Sequence, residues 1–381
     1  MSQGFLYSQG LTIPLPVSQG GTGATTSSGA LSNLGVPNPN VIIGGNFDTN
    51  PWQRGTSFTG LTNTAIYTAD RFNYFCSGGG VVSVLKTADA PSVIQAGQLV
   101  NNCLQVDVTT ADASISAAEY YSLRYAIEGY DFSRIAQIPF TISFWHKHTK
   151  TGIYSIGLEN SSSATCYVAE YVQDVSEAWE LATITISASP SAGTWNYTNG
   201  IGLVIWFNIA MGSDRTTATL GAWQAGNLFA STNQVNAMDN VANNFKIALV
   251  KVEPGSVATP YVFEAATDVL SRCQRYYWKT FSQGIAPATA AGLDGSLSWV
   301  PEAAATTVPF TVVFPTVMRT TPSLTFYNPV TASAQVRDVS SGVDATGTAL
   351  WRAGDSNFSI VYNAPFVNSA SAIHAAANAE L

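Results

Sequence analysis

From Asn40 to about Val262 the sequence is a succession of short alternating runs, and this period of two limits the fold more than any other feature. In Pro139–Lys147, Phe140, Ile142 and Phe144 fall on one side and Thr141, Ser143 and Trp145 on the other. A strand with one buried face requires that pattern. Similar runs occupy Val81–Lys86, Cys103–Val108, Ser122–Glu128, Ile153–Leu158, Cys166–Val172, Leu181–Ser187, Ile201–Asn208 and Phe245–Val252. They recur roughly every 15 residues, with Gly, Asn, Ser and Pro between them and no amphipathic helix of 10–15 residues intervening. A parallel sheet needs such crossover helices, so the expectation is two antiparallel sheets packed face to face.

Composition agrees. Charged residues make up 10% of the 381-residue chain, against about 25% in ordinary globular proteins. Long exposed helices carry Glu, Lys and Arg, so helical bundles and coiled coils are excluded. The net charge is 16 − 24 = −8, which opposes binding to phosphate backbones and excludes nucleic acid as a partner. No uncharged apolar run reaches the roughly 18–20 residues that span a bilayer, so no membrane insertion is expected. Residues Met1 to Val17 lack the basic and apolar segments of an export signal. The four cysteines, Cys76, Cys103, Cys166 and Cys273, form no CxxC and read as buried free thiols made in a reducing compartment.

Four segments follow from the pattern: residues 1–39, 40–264, 265–282 and 283–381. The first is too rich in glycine to form regular structure alone, apart from one turn at Ala30–Gly35, and needs a partner to become ordered. Ala265–Thr280 reads as the one helix, with Thr267 as N-cap and Val269, Leu270, Cys273, Tyr276 and Tyr277 as its apolar stripe. After Ser282 short strands return at Val308–Phe314, Ser323–Tyr327, Gln335–Val339, Ala349–Arg352 and Asn357–Tyr362. The stretch Ser369–Leu381 reads as a final strand or a frayed tail.

Motifs in four places resemble one family. Ser18-Gln19-Gly20-Gly21-Thr22-Gly23-Ala24-Thr25-Thr26, with Asn33-Leu34-Gly35 following, is similar to a short repeat of tailed-bacteriophage tail fibres. Gln53-Arg54-Gly55-Thr56 and Thr68-Ala69-Asp70-Arg71-Phe72 resemble the opening of a jelly-roll module in such proteins. Its end is matched by Lys251–Pro260 with Phe263-Glu264, although Val252 replaces the usual Leu and Tyr261-Val262 interrupt the pattern; Cys273-Gln-Arg-Tyr-Tyr277 follows. Phe314–Ser323 is similar to a C-terminal Phe-Pro-x-x-Met-Arg-x-x-Pro run.

The resemblance implies an all-β chain: an extended N-terminal attachment segment, an antiparallel jelly-roll sandwich resembling carbohydrate-binding modules, one helix and a smaller C-terminal β-domain. It further implies a homotrimeric tail fibre of the virion, assembled in the host cytoplasm and held to tail or baseplate proteins through residues 1–39. Ser18, Gln19, Gly20, Gly21, Thr22, Gly23 and Leu34 would make that attachment. The host partner would be a surface polysaccharide, bound without catalysis. A purely structural virion component and a polysaccharide depolymerase are the alternatives.

Sugar binding needs flat aromatic faces beside amide or carboxylate groups. Trp195, Asn196 and Tyr197, Trp223 with Gln224, and Trp299 and Trp351 are the candidates; the first two clusters also read as indoles that plug the sandwich end, bonded to loop carbonyls. Trp145 and Trp206 read as core or sheet-face residues. Hydrolysis needs two carboxylates about 5–9.5 Å apart; such pairs arise by chance, for instance Glu119 with Glu128 or Asp131, and no motif selects them. His146 and His148 share a strand face at a spacing able to hold a metal, but an ordinary strand accounts for them, and neither metal nor cofactor is expected. Arg71 reads as a structural ion pair with Asp70 or a turn anchor.

Overall fold

The computed structural model describes residues 40–302 and 308–381, together with Gly21, Thr22, Ala30 and Leu34. The chain is all-β, an antiparallel sandwich of jelly-roll type followed by one helix and further β-structure. One sheet of the sandwich has six strands, in the order Ser57–Leu61, Val81–Thr87, Cys103–Thr110, Asn244–Pro254, Phe140–His148, Glu180–Ile186. The other has seven, in the order Trp223–Ala225, Thr165–Gln173, Gly152–Asn160, Ile201–Met211, Tyr120–Glu128, Phe72–Ser77, Ala65–Tyr67. The chain passes repeatedly from one sheet to the other, so neighbours within a sheet are distant in sequence.

The alternation in strand Phe140–His148 does what its pattern requires. Phe140, Ile142 and Phe144 have no exposure and enter a core with Tyr125, Tyr154, Ile205, Phe207 and Phe245. Phe144 meets Phe207 and Tyr171 edge-on at 5.2 and 5.1 Å, a geometry favoured by the ring quadrupoles. His146 and His148 follow on the same inward face, both buried. His146 Nδ1 lies 2.9 Å from Gln173 Oε1 and His148 Nε2 lies 3.1 Å from the Tyr171 hydroxyl.

Strand Asn244–Pro254 carries a bulge between Ala248 and Lys251, where Leu249 takes a positive φ of 50°. The extra residue turns the Val250 carbonyl outward to Asn40, while the Val250 N–H donates to Gly45. Gly45 is required there, because a Cβ would lie 2.1 Å from the Val250 oxygen.

The helix is shorter than its apolar stripe suggests. It runs Ala266–Gln274, with Ala265 at the N-cap and no side-chain cap bond, so Thr267 is not the cap. Val269 and Cys273 are its buried residues. Tyr277 has left the helix and starts the strand Tyr277–Lys279, which pairs with Ser371–Asn378. Ladder pairing wins over helical periodicity because it satisfies the backbone and buries Tyr277 and Trp278 together.

Ser371–Asn378 is the centre of the C-terminal unit, not a tail. It pairs with Tyr277–Lys279, Ser323–Tyr327, Leu297–Trp299 and Arg337–Asp338. Ala372, Ile373, Ala375 and Ala377 are fully buried in it, and small side chains let the flanking layers approach. A three-stranded sheet, Val308–Val313, Asn357–Asn363 and Thr346–Ala353, closes this core from Phe314, Met318, Phe358 and Tyr362. All four cysteines are free and buried.

The two units are joined by charge as well as chain. Arg71 pairs with Glu380, and Arg54 reaches the same carboxylate at 3.3 Å. Arg275 binds Glu128 at 2.9 and 2.5 Å. Arg71 is thus an anchor between the sandwich and the far end of the chain; its neighbour Asp70 bonds Gln53 instead, at 2.7 and 3.0 Å.

Candidate functional site

The outer face of the six-stranded sheet carries a groove built from the residues that alternate with the core. Trp145 and Ser143 point outward from strand Phe140–His148, and Leu181 and Thr183 lie opposite them on the edge strand, in register Trp145 with Leu181 and Ser143 with Thr183. Two depressions meet on this face. One, of about 660 Å³, is lined by Gln95, Trp145, Trp179, Asp174, Leu181 and Thr183 among others. The second, of about 410 Å³, shares Gln95, Trp145 and Leu181 and continues to Leu249, Pro260 and Tyr261. Trp145 is half-buried and lies where the two meet.

Each wall is held by local chemistry. Gln95 belongs to the single turn Val93–Ala96, and it and Ser92 cap each other reciprocally; its Nε2 then donates to the Trp179 carbonyl at 3.1 Å. Trp179 Nε1 donates to Asp89 at 3.0 Å. Lys147 and Lys246 meet that same carboxylate at 2.9 and 2.8 Å. Burial works to raise the Asp89 carboxyl, but the bonds from Lys246, Lys147 and Trp179 prevail and hold it at about 2. At the far end, Thr259 is fixed by Glu253, to which its N–H and hydroxyl donate at 2.7 and 2.6 Å. Lys251 donates to the Thr259 and Pro260 carbonyls at 3.2 and 3.1 Å.

Two of the carboxylates along the groove, Glu180 and Glu170, are occupied by the protein itself. Glu180 accepts the N–H groups of Asp174 and Val175 at 2.9 and 2.8 Å, and Glu170 accepts from Asn233 at 2.9 Å and from Ser231. What the groove offers a ligand is therefore the Trp145 indole with apolar Leu181 beside it, the hydroxyls of Ser143 and Thr183, and the exposed Asp174 carboxylate. An aromatic face among hydrogen-bonding groups suits a polyol.

The aromatics singled out in the sequence lie elsewhere. Trp195 and Trp223 come together at an end of the sandwich, their rings edge-to-face at 5.5 Å. Their N–H groups donate to the Ala192 and Ser187 carbonyls at 3.0 and 2.9 Å. Trp195 and Tyr197 both stack on buried Phe132, at 5.2 and 5.9 Å. Asn196 accepts from the Thr198 and Gly200 N–H groups, and Gln224 bonds Thr217 and Thr219, so both side chains are turned to local loop structure. Trp299 donates to the Tyr362 hydroxyl at 2.8 Å and stacks on Phe310 at 4.2 Å. Trp351 is 50% exposed with Arg352 over its ring at 4.4 Å, and lies in a different sheet of the C-terminal unit from Trp299.

Of the N-terminal residues, Ser18, Gln19, Gly20 and Gly23 lie outside the described residues. Leu34 is 54% exposed and its N–H donates to the Ala30 carbonyl at 3.0 Å. Glu128 is taken by Arg275 and Tyr276, and Glu119 accepts the Ser116 N–H at 2.7 Å. Among the described residues no group of three or more His, Cys, Asp or Glu is placed to hold a metal, and no helix is long and apolar enough to cross a membrane. Sequence reading missed Trp179 and Gln95 as site residues. The available signal was the alternation itself, which put Trp145 on the face away from Phe144.

No family model matches the chain, and no curated protein matches it. Solved structures do match. A putative sugar binding protein from Bacteroides thetaiotaomicron is 12% identical, with 57% of this chain and 100% of that one covered and a TM-score of 0.32. The enzymatically active domain of bacteriophage CBA120 tailspike protein 4 is 10% identical over 57% of this chain, at a TM-score of 0.29; the match spans 21% of that chain's length. The family 11 carbohydrate-binding module from Clostridium thermocellum is 11% identical, with 54% and 98% covered and a TM-score of 0.28. Likenesses this distant carry no functional argument.

Proposed function

We propose that this protein is a tail-fibre component of a tailed bacteriophage that binds a host surface polysaccharide through the groove around Trp145, without cleaving it. The observation that carries the reading is the groove: a half-buried indole on a sheet, flanked by hydroxyl groups in two adjoining depressions. A pyranose presents an apolar face to an aromatic ring and its hydroxyls to such groups. Binding without hydrolysis fits the commitment of Glu170 and Glu180 to internal hydrogen bonds. The motifs at Ser18–Thr26, Thr68–Phe72, Lys251–Glu264 and Phe314–Ser323 support the tail-fibre part, with residues 1–39 as the attachment to tail or baseplate proteins and a homotrimer as the assembled form.

The test is adsorption competition. Excess purified protein should slow phage adsorption and bind host cells, and polysaccharide extracted from those cells should compete. Protein that neither binds cells nor blocks adsorption would instead be a structural component of the virion, and release of reducing sugar from the polysaccharide would make it a depolymerase. A single monomeric mass at micromolar concentration would remove the trimer.

A further inference from the structure

The opposite face of the sandwich carries a second pocket, of about 430 Å³, whose chemistry differs from that of the groove. Its floor is Trp206 on strand Ile201–Met211, in register with Arg124 on one side and Gly157 on the other. Gly157 is necessary: a Cβ would lie 2.3 Å from the Phe229 carbonyl oxygen, and its absence lets the Phe229 backbone lie on the sheet. Phe229 then stacks on Trp206 at 4.4 Å, and Phe75 and Tyr120 form a second stacked pair at 5.4 Å along the wall.

Polar groups converge on this aromatic frame. Glu159 is buried at the base, where it accepts from Ser163 at 2.8 Å. With its amide turned as its neighbours require, Asn227 donates to Glu159 at 3.3 Å and accepts from Arg215 at 2.7 Å. Burial is the largest influence on the Glu159 carboxyl and pushes its pKa up, against the pull of Ser163, Arg124, Trp206 and Arg215. Arg124 lies 5.6 Å from the Trp206 ring centre and donates to the Leu381 oxygen at 3.4 Å. Among the described residues Arg215 enters no ion pair with an Asp or Glu side chain, and neither does Arg124. The pocket thus sets two guanidinium groups against one buried carboxyl, in a chain whose net charge is −8.

We propose that this pocket binds a sugar acid: Arg215 and Arg124 receive the carboxylate, Tyr120 and Phe75 flank the ring, and Glu159 with Asn227 takes hydroxyls at the base. Arginine suits the task because its planar fork matches a carboxylate in a two-pronged bond. The proposal is independent of the groove, and either can fail alone.

The test uses the full chain, labelled with nitrogen-15, with the indole N–H signal of Trp206 assigned through Trp206→Phe. Trigalacturonate is the probe, with galactotriose and inorganic phosphate as controls. Trigalacturonate should move the Trp206 signal and saturate, with galactotriose at least about tenfold weaker, as loss of a charge-assisted bond predicts. Arg215→Gln and Arg124→Gln should each weaken trigalacturonate about tenfold, while Trp145→Ala leaves it unchanged. No shift at about 5 mM trigalacturonate, equal binding of galactotriose, equal binding of phosphate, or an unaffected Arg215→Gln variant with a native spectrum each overturns the proposal.

Discussion

Arg71 and Glu380, separated by 309 positions in the chain, form an ion pair in which the arginine side chain is 1% and the glutamate 4% exposed. The Arg71 guanidinium also lies 3.6 Å from the centre of the Tyr276 ring and donates to the Ala126 carbonyl at 2.6 Å. Sandwich, helix exit and final residues therefore meet on one cation. Removing one partner leaves an uncompensated buried charge, at a cost of about 3–5 kcal/mol. Glu380→Ala should lower the unfolding free energy by that order, measured by denaturant titration. Arg71→Met combined with Glu380→Met should recover more than half of it. A double variant as unstable as the single one would show that the charge pair is not the source.

Trp145→Ala should weaken binding of host polysaccharide by about tenfold or more, the scale of one lost stacking contact. The half-buried ring is outside the main core, so the melting temperature should fall by only a few degrees. Calorimetric titration of extracted polysaccharide reads the first and thermal unfolding the second. Unchanged affinity would remove the groove from the proposed function.

Trp195→Ala should behave in the opposite way. It takes away the stack on Phe132 and the edge contact with Trp223, and should cost about 2–4 kcal/mol of stability. Polysaccharide affinity should stay within about twofold of the parent, a difference of under 0.5 kcal/mol. A variant that folds normally and loses adsorption would return these aromatics to the binding surface.

Burial lowers the pKa of His146 and of His148, and for His148 the neighbouring His146 adds to the effect. In the unfolded chain both return to about 6.5. Below that value the unfolded state takes up protons that the folded state resists, so the histidine contribution is present above pH 6.5 and is lost as pH falls towards the folded values. The melting temperature should drop between pH 7 and pH 5, and His146→Gln with His148→Gln should flatten that drop. An equally steep decline in the double variant would assign it to other groups.

The four cysteines should resist Ellman's reagent in the native protein and react once unfolded. Burial pushes the Cys103 thiol up to about 12, against a hydrogen bond from Thr87, and raises Cys273 well above its ordinary range. The thiolate is the reactive form. Rapid labelling of any one thiol without denaturant would show that its surroundings open.

Strand existence was legible because burial of one face imposes a period of two on the sequence. Phe140, Ile142 and Phe144 display it locally, and so do Val82 and Val84 in Val81–Thr87. The end of the helix was not legible. Val269, Cys273 and Tyr276 continue a helical stripe, and only the partner strand Ser371–Asn378 makes Tyr277 extended. The same holds for that strand: its alanines carry little local preference, and pairing on both edges decides their state.

The site divides along the same line. By itself the sequence determined an all-β chain, its approximate strands, its buried thiols and the place of Trp145 on the strand face opposite Phe144, because each depends on local periodicity or residue chemistry. The tertiary structure decided which outward residues share a surface. Trp145, Leu181 and Gln95 meet, as do Trp206, Arg124 and Arg215, because hydrogen-bonded ladders set register between segments far apart in the chain. That register follows from the packing of two whole sheets, which no single stretch of residues contains.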